Sequence, residues 1–335
     1  MPDFAFDALM RDIQSELEES LLGGPPRYTQ HEVAERAGVT REWADRLWVS
    51  MGFALDLDPD AVMFTDSDVD ALAGIARLVE TGVITADREV AAARAVGQAM
   101  SRLAEWQVAL VSTHILEVIA GSGETDPARV RARVAELNAE ILPAVEALHG
   151  YVWRRHVASA TGHTVGTPEG DGASRVLTVG FADIVGYTSL TRKLGARGLG
   201  ELLERFESAS TEVITGNRGR VVKTVGDEVM FAVEDPAEAV EVALRLHEQV
   251  LVEESDPTMR IGLALGPTLV RFGDLYGSVV NTAARLTGSA RPGSILVDRA
   301  VADAVADDER FTLRHLRPRR VRGISRLEQF VVRRA

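Results

Sequence analysis

Three stretches of this chain set acidic, basic and amide side chains at spacings that chemistry can use. The first is Gly219-Arg-Val-Val-Lys223-Thr-Val-Gly226-Asp227-Glu-Val-Met-Phe231. β-Branched residues flank a glycine free to adopt unusual backbone angles, so it reads as two short strands joined at Gly226. A carboxylate at such a strand end, Asp227, points into whatever cleft the sheet builds. Lys223 is one of only two lysines, with Lys193, in a chain that otherwise uses arginine. Arginine does not replace a compact ammonium donor at a crowded site. The second stretch is Phe181-Ala-Asp183-Ile-Val-Gly186-Tyr-Thr188, a strand ending in a carboxylate. The backbone N–H groups of Ile184, Val185, Gly186, Tyr187 and Thr188 then lead into a helix N-terminus, which is suited to cradle phosphate. The third is Asp274-Leu-Tyr-Gly277-Ser-Val-Val-Asn281-Thr-Ala-Ala-Arg285-Leu. Asn281 and Arg285 lie four apart, hence on one face of a helix.

From Arg175 onward the sequence supplies elements to position these groups. Val176 to Asp183 is a strand, followed by a helix through about Ile214. The Lys223/Asp227 hairpin comes next, then a helix from Pro236 to Val252. Arg260 to Phe272 reads as two strands around Gly266-Pro267, and a helix runs from about Tyr276 to Thr287. A further helix and two late strands, near Phe311 to Leu316 and Glu328 to Val332, complete the pattern. Strand-helix-strand-strand-helix-strand in that order is ferredoxin-like, a sheet covered by helices on one face.

The first half reads as helical throughout, which makes the whole chain α+β: an all-α domain over residues 1–158, a linker over 159–174 and the sheet domain over 175–335. Phe4, Leu9, Ile13, Leu17 and Leu21 mark a first helix, stopped by Gly23-Gly24-Pro25-Pro26. Tyr28 to Trp48 reads as a helix-turn-helix with Thr29 and Thr40 as N-caps and Gly38 at the turn. A DNA reader presents a basic stripe, whereas Arg41 and Arg46 here alternate with Glu42 and Asp45, so a helical scaffold is expected and nucleic acid is not. Asp66, Asp68 and Asp70 lack the glycine and glutamate of a calcium loop and suit the first turn of a helix. A long apolar helix spans about 85–119, with Val96, Met100, Leu103, Val111, Ile115 and Ile119 on one side. It is expected to serve as core and dimer contact, a lipid groove being the alternative. The next helix, 126–158, is expected to break near Pro143. His31, His114, His149, His156 and His163 lie at or before the linker. Histidine titrates near physiological pH, and His156, beside Arg154 and Arg155, is the expected proton sensor, with a solvated surface histidine as the bland alternative.

With 335 residues the chain holds two domains, each large enough for its own core. No apolar run is expected to reach a membrane span of roughly 20 residues, and no basic region precedes an apolar core at the start. The absence of cysteine excludes disulfides and thiolate metal sites and points to a cytoplasmic location. The net charge of −13 is uneven: residues 1–174 hold 14 Arg, no Lys and 28 acidic residues, so they carry −14 and the remainder +1. An acidic half repels phosphate backbones and anionic lipid.

Together the three blocks resemble the class III nucleotidyl cyclases, a similarity that runs from about Arg175 to the C-terminus. The resemblance implies that Asp183 and Asp227, with the Ile184 carbonyl, hold two divalent ions, Mg²⁺ or Mn²⁺. Hard cations do prefer carboxylate oxygens, and an ion pair suits in-line displacement at phosphorus. It further implies that Lys223 and Asp274 read adenine, so that ATP is the substrate rather than GTP. By the same resemblance Asn281 orients the ribose, Arg285 meets charge on the α-phosphate, and Arg322 contacts the triphosphate. The family builds each site across a head-to-tail dimer, so a homodimer with two equivalent sites is expected. The first half resembles, more faintly, the helical regulatory regions of actinobacterial soluble cyclases, which implies a small-molecule or proton signal there. The alternatives are a silent nucleotide-binding sensor and a DNA-binding regulator using residues 28–50.

Overall fold

A computed structural model describes residues 3–164, 174–251, 253, 256–321 and 323–335, and the chain divides between Gly166 and Thr167 into two units. The first contains α1 (Asp3–Leu21), α2 (Gln30–Ala37), α3 (Arg41–Met51), α4 (Asp66–Glu80), α5 (Glu89–Ser122) and α6 (Pro127–Thr164). Capping chemistry sets several of these boundaries. The Thr29 hydroxyl accepts from Glu32 N while the Glu32 carboxylate accepts from Thr29 N, and the Thr40 hydroxyl accepts from Trp43 N. Gly38 closes α2 at φ 72°. Val33, Ala34, Ala44, Phe64 and Leu72 form a small core.

Several polar groups of this unit are paired within it. Arg41 donates to Gln30 and pairs with Asp45, and Arg46 pairs with the buried Glu89. The arginines of the second helix of the helix-turn-helix are thus committed to the scaffold. Asp68 accepts from the backbone and hydroxyl of Thr65, and Asp66 accepts from Tyr28 and Arg27.

Two expectations are corrected in this unit. α6 does not break at Pro143 but runs on through it to Thr164, past residue 158. Proline removes one backbone hydrogen bond, and the Ala-, Glu- and Leu-rich turns around it carry the helix across. α5 is a continuous 34-residue helix whose mean hydropathy of 1.2 over an 18-residue window gives it the length and composition to cross a membrane. Alanines extend its apolar character beyond the run visible in the sequence. A core helix of a soluble protein passes the same test.

The second unit follows the order β1 (Ser174–Ile184), α7 (Tyr187–Gly216), β2 (Arg220–Val225), β3 (Glu228–Val233), α8 (Pro236–Gln249), β4 (Met259–Arg271), β5 (Asp274–Tyr276), α9 (Ser278–Ser289), β6 (Ile295–Val297), α10 (Arg299–Ala304), β7 (Phe311–Val321) and β8 (Ile324–Arg334). The strands lie in the order β2-β3-β1-β4-β6-β8-β7, with β5 on β4. β3 and β4 both run antiparallel to β1, so the first four strands make the ferredoxin-like sheet.

Strand alternation gives this sheet two buried faces. Ala182, Ile184, Val229, Phe231 and Val233 pack with α7 and α8. Leu177, Val179, Phe181, Met230 and Ala232 pack with Val279, Ala283 and Leu286 of α9. Helices therefore cover both faces rather than one. A second correction concerns Gly266-Pro267, which does not turn the chain. β4 continues through it, pairing Gly266 with Leu177 and Pro267 with Val176, and the reversal comes at Phe272 and Gly273, with φ of 48° and 80°.

Gly262 decides how closely α9 approaches. A Cβ there would meet Thr287 N at 2.4 Å and Ala283 O at 2.6 Å, while the Thr287 hydroxyl reaches the Phe181 and Ala283 carbonyls. Gly262→Ala is expected to destabilise the protein by about 1–3 kcal/mol through overpacking, measured as a shift in urea midpoint.

Candidate active site

Strand register assembles the first group of side chains. Asp183 sits on β1 with Glu228 of β3 opposite it on one side and Arg260 of β4 on the other. Ile184 N donates to the Asp227 carbonyl at 3.0 Å, fastening the β2–β3 turn to the end of β1. The Arg260 guanidinium reaches Asp183 Oδ2 through both Nε and Nη2 at 2.5 Å. Burial raises the pKa of the Asp227 carboxyl, and Asp183 raises it further by charge and by a side-chain hydrogen bond. Burial, then the charges of Asp183 and Asp227, push Glu228 up to about 7.

Three acids thus crowd a single guanidinium, and the backbone rather than mutual attraction brings them together. Such an arrangement is what divalent cations relieve, and an all-oxygen donor set suits Mg²⁺ or Mn²⁺. Asp183 and Asp227 therefore offer carboxylate oxygens of the kind that the ions implied by the sequence take. Arg260 and Glu228 did not stand out in the sequence, because only the pairing of β1 with its two neighbours reveals them.

The turn after Asp183 departs in part from expectation. Val185 N donates to the Thr258 carbonyl at 2.8 Å, and Ile184 N is held by Asp227, so neither N–H is open to a phosphate. Gly186 takes φ 79° to start α7. Gly186, Tyr187 and Thr188 lie at the start of α7, where the helix dipole favours an anion.

A second group lies at the edge of the sheet, where Lys223 Nζ donates to Asp274 Oδ2 at 2.6 Å. The lysine and aspartate side chains are 45% and 28% exposed, so they are open to a ligand. Asn281 and Arg285 form a third group on the exposed side of α9, opposite the buried Val279, Ala283 and Leu286. Among the described residues no hydrogen bond or ion pair joins the three groups within one chain. Arg322 lies outside the described residues. His156 is exposed on α6, whereas the His149 ring meets the Gln107 amide of α5.

Comparison with known proteins covers both units. Residues 172–334 match the adenylate and guanylate cyclase catalytic domain, and residues 15–153 match the adenylate cyclase regulatory domain. An adenylate cyclase of Glutamicibacter nicotianae is 37% identical over 337 residues, covering 96% of this chain and 82% of that one. An adenylate cyclase of Streptomyces coelicolor is 40% identical over 289 residues, covering 86% and 74%. A pH-sensitive adenylate cyclase of Mycobacterium tuberculosis is 33% identical over 315 residues, covering 91% and 77%. With its carboxylate cluster at the end of β1 and these matches along its length, the chain belongs to the family of adenylate cyclases that join a helical regulatory domain to a class III catalytic domain.

Proposed function

We propose that the protein converts ATP to 3′,5′-cyclic AMP and pyrophosphate at sites shared between two copies of the chain. The observation that carries this reading is that, among the described residues, no hydrogen bond or ion pair joins the acids, the Lys223–Asp274 pair and Asn281 with Arg285. A second copy arranged head to tail would bring the acids of one chain to the other two groups of its mate. Two divalent cations bound by Asp183, Asp227 and the Ile184 carbonyl would supply Lewis acidity toward the ribose 3′-hydroxyl and the triphosphate.

The chain's own residues supply the rest. Gly186, Tyr187 and Thr188 hold phosphate oxygens through backbone N–H groups. Arg260, which pairs with Asp183, offers a planar fork to the same phosphates, and Arg322 is proposed as a further contact. Lys223 donates to adenine N1 while Asp274 accepts from the 6-amino group. Asn281 orients the ribose. Arg285 balances charge as the 3′-oxygen bonds to the α-phosphorus and the bond to the departing pyrophosphate breaks.

Incubating purified protein with ATP or GTP and Mn²⁺ or Mg²⁺, then separating products by chromatography, tests the activity. Cyclic AMP from ATP, with little cyclic GMP from GTP, is expected. No cyclic product from either nucleotide would contradict it.

We further propose that residues 1–158 regulate the catalytic domain in a cytoplasmic setting, in keeping with a cysteine-free chain. The regulatory-domain match and the pH-sensitive relative support a proton signal. His156 is the proposed sensor, and the contact of His149 with Gln107 makes that residue the comparison to include. In activity profiles from about pH 5.5 to 8, His156→Ala is expected to flatten the response. If only His149→Ala flattens it, the sensor is His149.

A further inference from the structure

Leu275, next to Asp274, is buried in the core, but the turn that precedes Asp274 is exposed. β5 has three residues and pairs only with β4. The turn before it places Phe272 and Gly273 at positive φ, which strains the non-glycine residue. Asp274 Oδ1 is committed to Leu275 N at 2.8 Å, and Oδ2 to Lys223. When adenine enters, Lys223 has further N–H donors for N1 beside the one it gives to Oδ2, and Oδ2 has a second lone pair for the 6-amino group. The ion pair between β2 and the turn must therefore hold its alignment while both partners also take up the base.

One other side chain on β2 grips this turn. Arg220 Nη1 donates to the Gly273 carbonyl at 3.2 Å, next to Asp274. Although Arg220 as a whole is exposed, desolvation is the largest influence on its guanidinium and lowers its pKa. The neighbouring Arg175 lowers it further, and Asp274 opposes both. The Gly273 carbonyl and the Asp274 charge are the favourable partners set against the like charge of Arg175.

We infer that Arg220 is a positioning residue for base selection, pinning the β4–β5 turn so that Asp274 keeps its acceptor facing the 6-position while Lys223 and Asp274 take up the base. The inference rests on the reading that Lys223 and Asp274 contact the base. Arg220 itself touches neither base nor phosphate in this scheme. Its loss leaves the reacting groups in place and loosens the acceptor, so substrate binding and selectivity change rather than turnover.

The test is steady-state kinetics of the full-length protein with ATP and GTP for Arg220→Met, Arg220→Lys and Asp274→Ala. Arg220→Met is expected to raise KM for ATP about tenfold, keep kcat within about twofold and lower the ATP-over-GTP preference about tenfold, the signature of lost binding rather than lost transition-state contact. Arg220→Lys retains a donor for the Gly273 carbonyl and is expected to restore most of the preference. An Arg220→Met protein with wild-type KM and preference, or one that loses kcat alone, would overturn the assignment. Asp274→Ala separates the two ideas. If it abolishes the preference while Arg220→Met does not, only the role of Arg220 fails. If Asp274→Ala leaves the preference unchanged, base reading itself fails and this inference with it.

Discussion

Asp227→Asn is expected to slow cyclisation about 1000-fold without lowering the melting temperature. The two halves of that outcome share a cause. In the free protein Asp183, Asp227 and Glu228 crowd one another with Arg260 as the opposing charge, and burial together with this repulsion holds the Asp227 carboxyl above its ordinary range. A buried acid with a raised pKa stabilises the fold only below its unfolded value, and that contribution disappears as pH rises through the folded one. At neutral pH the Asp227 charge is therefore a burden, which the neutral amide removes. The same charge is what draws divalent cations, so the substitution trades activity against stability. Turnover at saturating ATP and Mn²⁺, set beside thermal melts, checks both halves. Activity within about tenfold of wild type would mean that Asp227 does not hold an ion.

Lys223→Glu combined with Asp274→Lys is expected to lower kcat/KM for ATP about 100-fold and to raise the use of GTP. Adenine presents an acceptor at N1 and a donor at the 6-position, whereas guanine presents N1–H and O6. The exchange turns each protein group into the complement of guanine. Paired contacts of this kind discriminate by roughly 1–3 kcal/mol each, and mismatched groups add repulsion. The doubly substituted chain keeps an ion pair across the same two positions, so the turn retains its tie to β2 and folding is spared. Chromatography of products from ATP and GTP side by side reads the outcome. An unchanged preference for ATP would show that these residues do not face the base.

Much of this site was legible from side-chain type and local spacing. Asp183 was placed at a strand end, Asp227 beside the Gly226 turn and Asn281 with Arg285 one helical turn apart, as the structure has them, while their proposed roles come from the family resemblance of the three blocks together. Arg260 was not legible, because its meaning depends on lying opposite Asp183, and strand register is set by pairing between distant segments. The commitments of Ile184 N and Val185 N depend on Asp227 and Thr258, which the local sequence does not bring near. Gly266-Pro267 looked like a reversal, yet β4 runs straight through it because the pairing with β1 continues on both sides. In α6, the proline at 143 read as a break, but a single missing hydrogen bond does not end a helix of 38 residues.

The shared site is tested most directly by pairing two inactive chains. Asp227→Asn removes an acid from one side of the pocket and Arg285→Ala removes the arginine from the other. Unfolded together in equal amounts and refolded, half of the dimers that form are mixed, and each mixed dimer keeps one intact site of two. Recovery of about a quarter of wild-type activity is therefore expected, from two proteins that are each inert alone. No recovery from a mixture shown to contain the mixed dimer would contradict a pocket built from two chains.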